Sequence, residues 1–399
     1  MMRLFLNGLA ASAGAGLTYF RNVIPELSAR GDVQTTVALT PALRSEFGEP
    51  ANISFLEVSG ATAGRRFWQE QTELPELIRR DQADVLVSTG NFALRRSPVP
   101  QILLSGNSLY TSRDFYSDLR TRREYRMWLG TRIRGILAKR SVHWADCTVA
   151  PSEAFAADLR RWTGENVISI YHGFDHDAFL ADEEQVPGEM AAKLSPEPDA
   201  LRLLFVSHYN YYRNFETLFR ALPHLKQRFH NLKIKLFLTC QLQPGANPGT
   251  YQTATASRLV RELGVGNEIV ELGTTPYRLL HHVYNACDIY VTPAYTETFA
   301  HPLVEAMACG RPIVASDLPV HREICGSAGI FFDRFSPEAL AEQVSKIAGS
   351  PQLARDLSER GLARSREFSW RCHVDQIVAL ARELLQRAHT VVAGAAAIR

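Results

Sequence analysis

Residues Asp288–Asp333 read DIYVTPAYTETFAHPLVEAMACGRPIVASDLPVHREICGSAGIFFD. Asp288–Pro293 is an apolar run of strand length, Ala294–Ala300 is a loop, and Pro302 suits the first turn of a helix, where its missing N–H would be unpaired anyway. Gly310 ends that helix, and Pro312 opens the next apolar run, Pro312–Ser316. A further helical segment leads to Gly329–Asp333. Strand, helix, strand, helix, strand at this spacing is the unit of a parallel sheet with helices on its faces.

The same alternation runs outward in both directions. Strands are expected at Arg3–Leu6, Gln34–Leu39, Ile53–Val58, Asp84–Thr89, Gln101–Ser105, Thr148–Pro151 and Val167–Tyr171. A second series begins at Leu203–Val206 and continues through Ile234–Thr239 and Ile269–Gly273 into the stretch quoted above. Between them Phe174–Ala200 is rich in acids and proline with almost no apolar periodicity, and reads as a linker. The expected organisation is an N-terminal domain over 1–180, a linker over 181–200, a second domain over 201–370 and a final helix over 371–399 packing back on the first domain. In open parallel sheets ligands bind at the carboxyl ends of the strands. Two such sheets facing one another across a cleft would hold a ligand from both sides.

At 399 residues, 46% hydrophobic and 22% charged, the chain falls in the globular range and is long enough for two domains of roughly 100–200 residues each. A net charge of +2 supplies no field to attract nucleic acid to the whole molecule. The six cysteines are scattered singly, with no Cys-x-x-Cys pair, which fits a reducing cytoplasm. The apolar opening, Leu4 to Leu17, reads as a strand and glycine loop rather than a signal helix, because Gly14 and Gly16 would break one. No metal-ligand spacing occurs among the histidines, so no metal or other cofactor is expected; His281 and His282 read as packing residues.

The chemistry concentrates at the helix beginning near Pro302. Its N-terminus presents backbone N–H groups and a partial positive charge, which suit a diphosphate. Glu297 in the loop and Glu305 in the first turn flank it as Glu-x7-Glu, and acids beside a phosphate site make sense as ligands of sugar and ribose hydroxyls. An isolated pair of acids would more often be a helix-dipole partner and a solvated loop residue.

The surrounding motifs change that balance. Glu-x7-Glu, EAMACGRPIVAS and REICG, preceded by WADCTVAPSEAF, IYHGFDHDAF and FVSHYNYYRNFETL and followed by FSW at Phe368–Trp370, resemble the retaining glycosyltransferases of family 4, over nearly the whole chain. The resemblance implies the α/β GT-B fold, two Rossmann-like domains with parallel sheets facing across a deep cleft. It implies transfer of a sugar from a UDP- or GDP-sugar, with retention, to a saccharide, lipid-linked saccharide or small-molecule acceptor in cell-surface polysaccharide or glycoconjugate synthesis. It assigns Glu305 to the nucleotide ribose and Glu297 to a hydroxyl of the donor sugar, while Phe299, Ala300, His301, Pro302 and Leu303 bring backbone N–H groups to sugar and phosphate. The family more often has glycine on each side of the phenylalanine, where this chain has Thr298 and Ala300. Where it has an arginine and a lysine for the diphosphate, this chain has His208 and Arg213, and Arg213 can grip phosphate bidentately.

In the first domain Gly14 and Gly16 form the opposite wall of the diphosphate pocket, and Asn107 stands near a position where many relatives use histidine to contact the donor sugar. Glu297, Arg213 and Asn107 are the residues expected to act in catalysis. A basic run over 113–140, interleaved with Tyr116, Tyr125 and Trp128, is a solvated face or a contact with a phosphorylated acceptor or with the inner face of an anionic membrane. No nucleic-acid partner is expected. The rival readings are a non-catalytic GT-B subunit that binds a partner and a GT-B epimerase or phosphorylase.

Overall fold

The computed structural model describes residues 1–11, 15–59, 63–181, 184–247 and 249–397, and the chain divides into two compact units. The first comprises residues 1–111, 124–173 and 369–399, and the second 112–123 and 174–368.

The first unit is built on seven parallel strands, β1 (Met2–Asn7), β2 (Val33–Leu39), β3 (Ile53–Glu57), β4 (Val85–Ser88), β5 (Gln101–Leu104), β6 (Cys147–Ala150) and β7 (Val167–Ser169). Their order is β3-β2-β1-β4-β5-β6-β7. The second unit has six strands, β8 (Ala200–Phe205), β9 (Lys233–Leu238), β10 (Ile269–Glu271), β11 (Ile289–Thr292), β12 (Ile313–Ser316) and β13 (Gly329–Phe332), ordered β10-β9-β8-β11-β12-β13. All pairings are parallel, with Leu203 of β8 opposite Leu236 of β9 and Ile289 of β11. Both units are thus Rossmann-like. Central strands such as β4, β11 and β12 are buried along their whole length, which is why they read as continuous apolar runs rather than alternating ones.

Strand order reverses between β1 and β4 in one sheet and between β8 and β11 in the other. At such switch points the loops diverge and leave a crevice. In the first unit the crevice is tight: a Cβ on Gly90 would fall 2.1 Å from Ala10 Cβ, so only glycine admits the loop after β1 beside the loop after β4.

The last helix, Trp370–Ala397, lies in the first unit against helix Ala15–Ser28. Trp370, Val374, Ile377, Val378, Ala381 and Leu384 repeat at helical spacing and share a core with Tyr19, Phe20, Val23, Ile24 and Leu27. Gly173 meets the start of this helix, where a Cβ would lie 2.0 Å from Trp370 N.

Two segments depart from the sequence expectation. Phe174–Ala200 is not an open linker but carries helices His176–Leu180 and Gly188–Leu194. Asp175 caps the first by accepting from the Ala178 N–H at 3.0 Å, and Phe179 is wholly buried against Tyr277, His281 and Tyr284. Helix Arg113–Thr121, although from the first half of the chain, belongs to the second unit. Its Phe115 and Leu119 are fully buried, Phe115 packs edge-on to Tyr212 at 6.1 Å, and Asp118 accepts from the Tyr295 hydroxyl at 2.7 Å. Arg122 just beyond it pairs with Asp118 and Glu216, both at 2.8 Å. The basic run is therefore not one surface: Arg122 is spent on an internal network.

Candidate active site

In the second unit the loops after β8 and β11 flank the switch point. Asn214, in the left-handed region at φ 55°, ties them together, its amide donating to the carbonyls of Pro293 at 3.0 Å and Arg334 at 2.7 Å. Thr217 donates to the Asn214 Oδ1 at 2.9 Å and fixes which way the amide faces. This fastening delivers Arg213, in the turn Tyr211–Arg213, to Glu297 in the β11 loop, and the two form an ion pair. The Arg213 guanidinium also lies 5.2 Å from the centroid of the Tyr212 ring.

Burial works against charge on Glu297, but Arg213 and the Thr298 N–H, which donates to its Oε1 at 3.1 Å, more than reverse it and hold the carboxyl below its ordinary value. Glu297 is ionised at neutral pH. The Arg213 Nε is buried without a hydrogen-bond partner, a donor that a bound oxyanion would satisfy.

Helix His301–Ala308 starts at Ala300, which adopts φ 63° and ψ 63°. A left-handed alanine is strained by about 1–2 kcal/mol relative to its usual conformations. Ala300 thus holds a conformation for which glycine is suited. The helix begins one residue earlier than Pro302, so Glu305 stands in its second turn and not its first, too far in to serve the dipole. Glu305 is buried and accepts a hydrogen bond at 2.8 Å from the Tyr284 hydroxyl, which shares its proton with the Pro302 carbonyl at 3.1 Å. Burial raises the Glu305 carboxyl to about 7, with Tyr284 pulling partly in the other direction.

The remaining second-unit candidates separate into supports and ligands. Phe299 is buried against Phe368 at 5.4 Å and His301 at 4.9 Å, and so shapes the loop. Burial lowers His301 to about 4, leaving it neutral. Leu303 donates its N–H to the Ala300 carbonyl at 2.9 Å, so that N–H, expected to meet phosphate, is already engaged. His208 is exposed, and partial desolvation and the charge of Arg213 hold it below its ordinary value. It is not a standing cation. His321, which the sequence reading passed over, is fully buried behind Glu297, hydrogen-bonded to Ser316 Oγ at 3.0 Å and lowered to about 4 by burial.

In the first unit a cavity of about 340 Å³ opens at the carboxyl ends of its strands, with Gly16, Arg66, Asn91, Tyr110, Arg134 and His172 in its wall. Gly14 lies outside the described residues. Gly16 is the second residue of its helix, and a Cβ there would fall 2.9 Å from Ala11 Cα. Asn107 is turned to local work, its Oδ1 accepting from the Leu109 N–H at 3.1 Å. Asn91, and not Asn107, lies in the cavity wall: at φ 65°, its Oδ1 accepts from the Gly106 N–H at 2.7 Å. His172 stacks on Trp370 at 5.5 Å. Asn91 was discoverable from its place just after a strand end, whereas Arg66 and Arg134 come from helices and carry no local signal. Among the described residues no cluster of three or more His, Cys, Asp or Glu could hold a metal ion.

The chain resembles known proteins in sequence and in fold. Residues 17–178 match the family "Glycosyltransferase Family 4" and residues 188–364 match "Glycosyl transferases group 1". The chain is similar to D-inositol 3-phosphate glycosyltransferase 2 of Catenulispora acidiphila, 27% identical over 57% of this chain and 53% of that protein. It is also similar to D-inositol 3-phosphate glycosyltransferase of Actinosynnema mirum, 29% identical over 60% and 58%. It thus spans a little over half the length of these relatives. Its fold matches sucrose-phosphate synthase from Thermosynechococcus elongatus, with TM-score 0.74 and 18% identity over 97% of this chain and 100% of that one. It also matches Anabaena HepE in complex with UDP, with TM-score 0.69 and 16% identity over 96% and 100%. With one family match on each unit, Glu-x7-Glu at the second switch point and the GT-B architecture throughout, the chain belongs to the family 4 glycosyltransferases.

Proposed function

We propose that the protein transfers a sugar from a nucleoside-diphosphate donor to a hydroxylated acceptor with retention at the anomeric carbon. The observation that carries the reading is the Arg213–Glu297 ion pair set in the β11 loop that leads into the helix bearing Glu305. Glu305 takes the ribose hydroxyls, Glu297 a hydroxyl of the sugar, and Arg213 turns its unpartnered Nε and part of its fork to the diphosphate. The positive end of the dipole of helix His301–Ala308 adds to this field, so the diphosphate's charge is met by protein groups. The acceptor oxygen attacks the anomeric carbon on the face the phosphate leaves, the glycosidic bond to phosphate breaks, and the acceptor proton passes to the departing phosphate oxygen. The residues bind and orient, and none is assigned as a covalent nucleophile.

The first-unit cavity is read as the acceptor side. Arg66 and Arg134 in its wall favour an acceptor that carries both hydroxyls and negative charge, in keeping with the inositol phosphate in the relatives' names.

Isothermal titration against UDP-glucose, GDP-mannose and their free diphosphates tests the donor half. Binding that is lost in Glu305→Ala supports the reading; a folded protein that binds none of them is a non-catalytic GT-B subunit. NMR of the product's anomeric proton then reports retention.

A further inference from the structure

We propose that helix Tyr125–Trp144 docks the protein on an anionic lipid bilayer, lying in the interface with its outer face inserted. The inference does not rest on the donor or acceptor assignments.

The helix is built inside out. A surface helix of a soluble protein buries its large apolar side chains and turns polar ones to water. Here the buried positions are the small Thr131, Gly135, Ala138, Ser141 and Val142. The outward positions are Tyr125, Leu129, Ile133 and Ile136, between 52% and 61% exposed. They recur at intervals of four, four and three residues and so form one stripe along the helix. Of the eleven large apolar side chains exposed among the described residues, these four share one helix, which makes a patch rather than scatter.

Charge says what covers the patch. The sequence YRMWLGTRIRGILAKRSVHW contains five Lys and Arg and no acid. Lys139 is used internally, donating to the Trp162 carbonyl at 2.7 Å, and Arg134 lines the cavity. Arg126, Arg132 and Arg140 remain exposed on the same side as the stripe, with Arg132 set 5.6 Å from the Trp128 ring. The acids nearest its ends include Glu124, before the first turn, Asp146, just past the last, whose carboxylate accepts from the Gln101 N–H at 2.7 Å, and Glu165, which pairs with His143 at 2.6 Å. Apolar residues among arginines, with Tyr125 exposed at one end, are the composition of a helix lying at the level of anionic headgroups. A second copy of the chain would set arginines against arginines. No helix of the described residues is long and apolar enough to cross a membrane, so the contact is peripheral.

The test is sedimentation of the full chain with phosphatidylcholine vesicles, pure or containing about one-third phosphatidylglycerol. The wild type should co-sediment with the anionic vesicles, less so in high salt, and weakly with the neutral ones. Leu129→Glu/Ile133→Glu and Arg126→Gln/Arg140→Gln should each lower the partition coefficient by at least about tenfold. Circular dichroism, melting temperature and donor-nucleotide binding in solution should not change. A wild type that stays in the supernatant overturns the proposal, as does a folded glutamate variant that sediments like the wild type. A dimer in light scattering that the glutamate variant converts to monomer would assign the face to self-association and equally overturn it.

Discussion

Glu305→Gln should move stability and ligand affinity in opposite directions. The carboxyl is buried and raised from 4.5 to about 7, a difference worth at most about 3 kcal/mol in folding free energy. Because the folded value lies above the unfolded one, this stability is fully present below about pH 4.5 and lost as pH rises through about 7. At pH 8 the wild type holds a buried charge with Tyr284 as a hydrogen-bonding partner. Glutamine keeps the shape, and its carbonyl still accepts from Tyr284, whose proton also has the Pro302 carbonyl. The variant should therefore be more stable at pH 8 by about 1–3 kcal/mol and equal at pH 5. Donor binding should weaken about 10- to 100-fold, because ribose hydroxyls lose an ionised acceptor worth about 1.5–3 kcal/mol per bond. Thermal melts across pH and isothermal titration measure the two halves. A variant that is less stable at pH 8, or binds as the wild type does, refutes the assignment of Glu305 as a buried anion held for ribose.

Arg213→Met strands the Glu297 carboxylate and should cost about 3 kcal/mol or more at pH 8 and less at pH 5; adding Glu297→Gln should restore at least half in a double-variant denaturation cycle. His208 is held below its ordinary value by desolvation and Arg213, so a diphosphate bound beside it should raise it and make the histidine take up a proton; titration calorimetry in buffers of differing ionisation heat should show this, and His208→Gln should remove that contribution. Ala300→Val places a branched side chain at φ 63° and should lower stability by a further 1 kcal/mol or about that, whereas Ala300→Gly should be close to neutral by thermal melts. Arg122→Ala should destabilise the protein by about 2–3 kcal/mol in denaturant melts while leaving vesicle binding unchanged, since it serves Asp118 and Glu216.

The strands were legible because two-sided burial leaves uninterrupted apolar runs bounded by glycine and proline; each lies within three residues of its expected limits. Glu297, Glu305 and Arg213 were legible as short motifs at the ends of those runs. Long-range pairing was not. Phe115 and Leu119 mark a buried helix face but cannot say which sheet receives it. Counting bases over 113–140 concealed both Arg122, whose partner Glu216 is 94 residues away, and the apolar stripe beside them. Tyr284 and Arg66 gave no signal, because tyrosine in an amphipathic helix and arginine on a surface helix are ordinary until the fold brings them to a carboxylate or a cavity. The local role of Asn107 was not legible either, because the turn whose Leu109 N–H donates to its Oδ1 carries no sequence signal.

Residues 112–123 leave their neighbours in the chain to complete the other unit's core, so the polypeptide changes unit four times. A gene fusion that exchanged everything after Gly173 with a relative would keep the old Phe115, Leu119 and Asp118 while replacing Tyr212, Tyr295 and Glu216. Such a chimaera inherits mismatched partners, and shuffling of donor halves between ancestors would have had to carry this short helix along or re-evolve its seat.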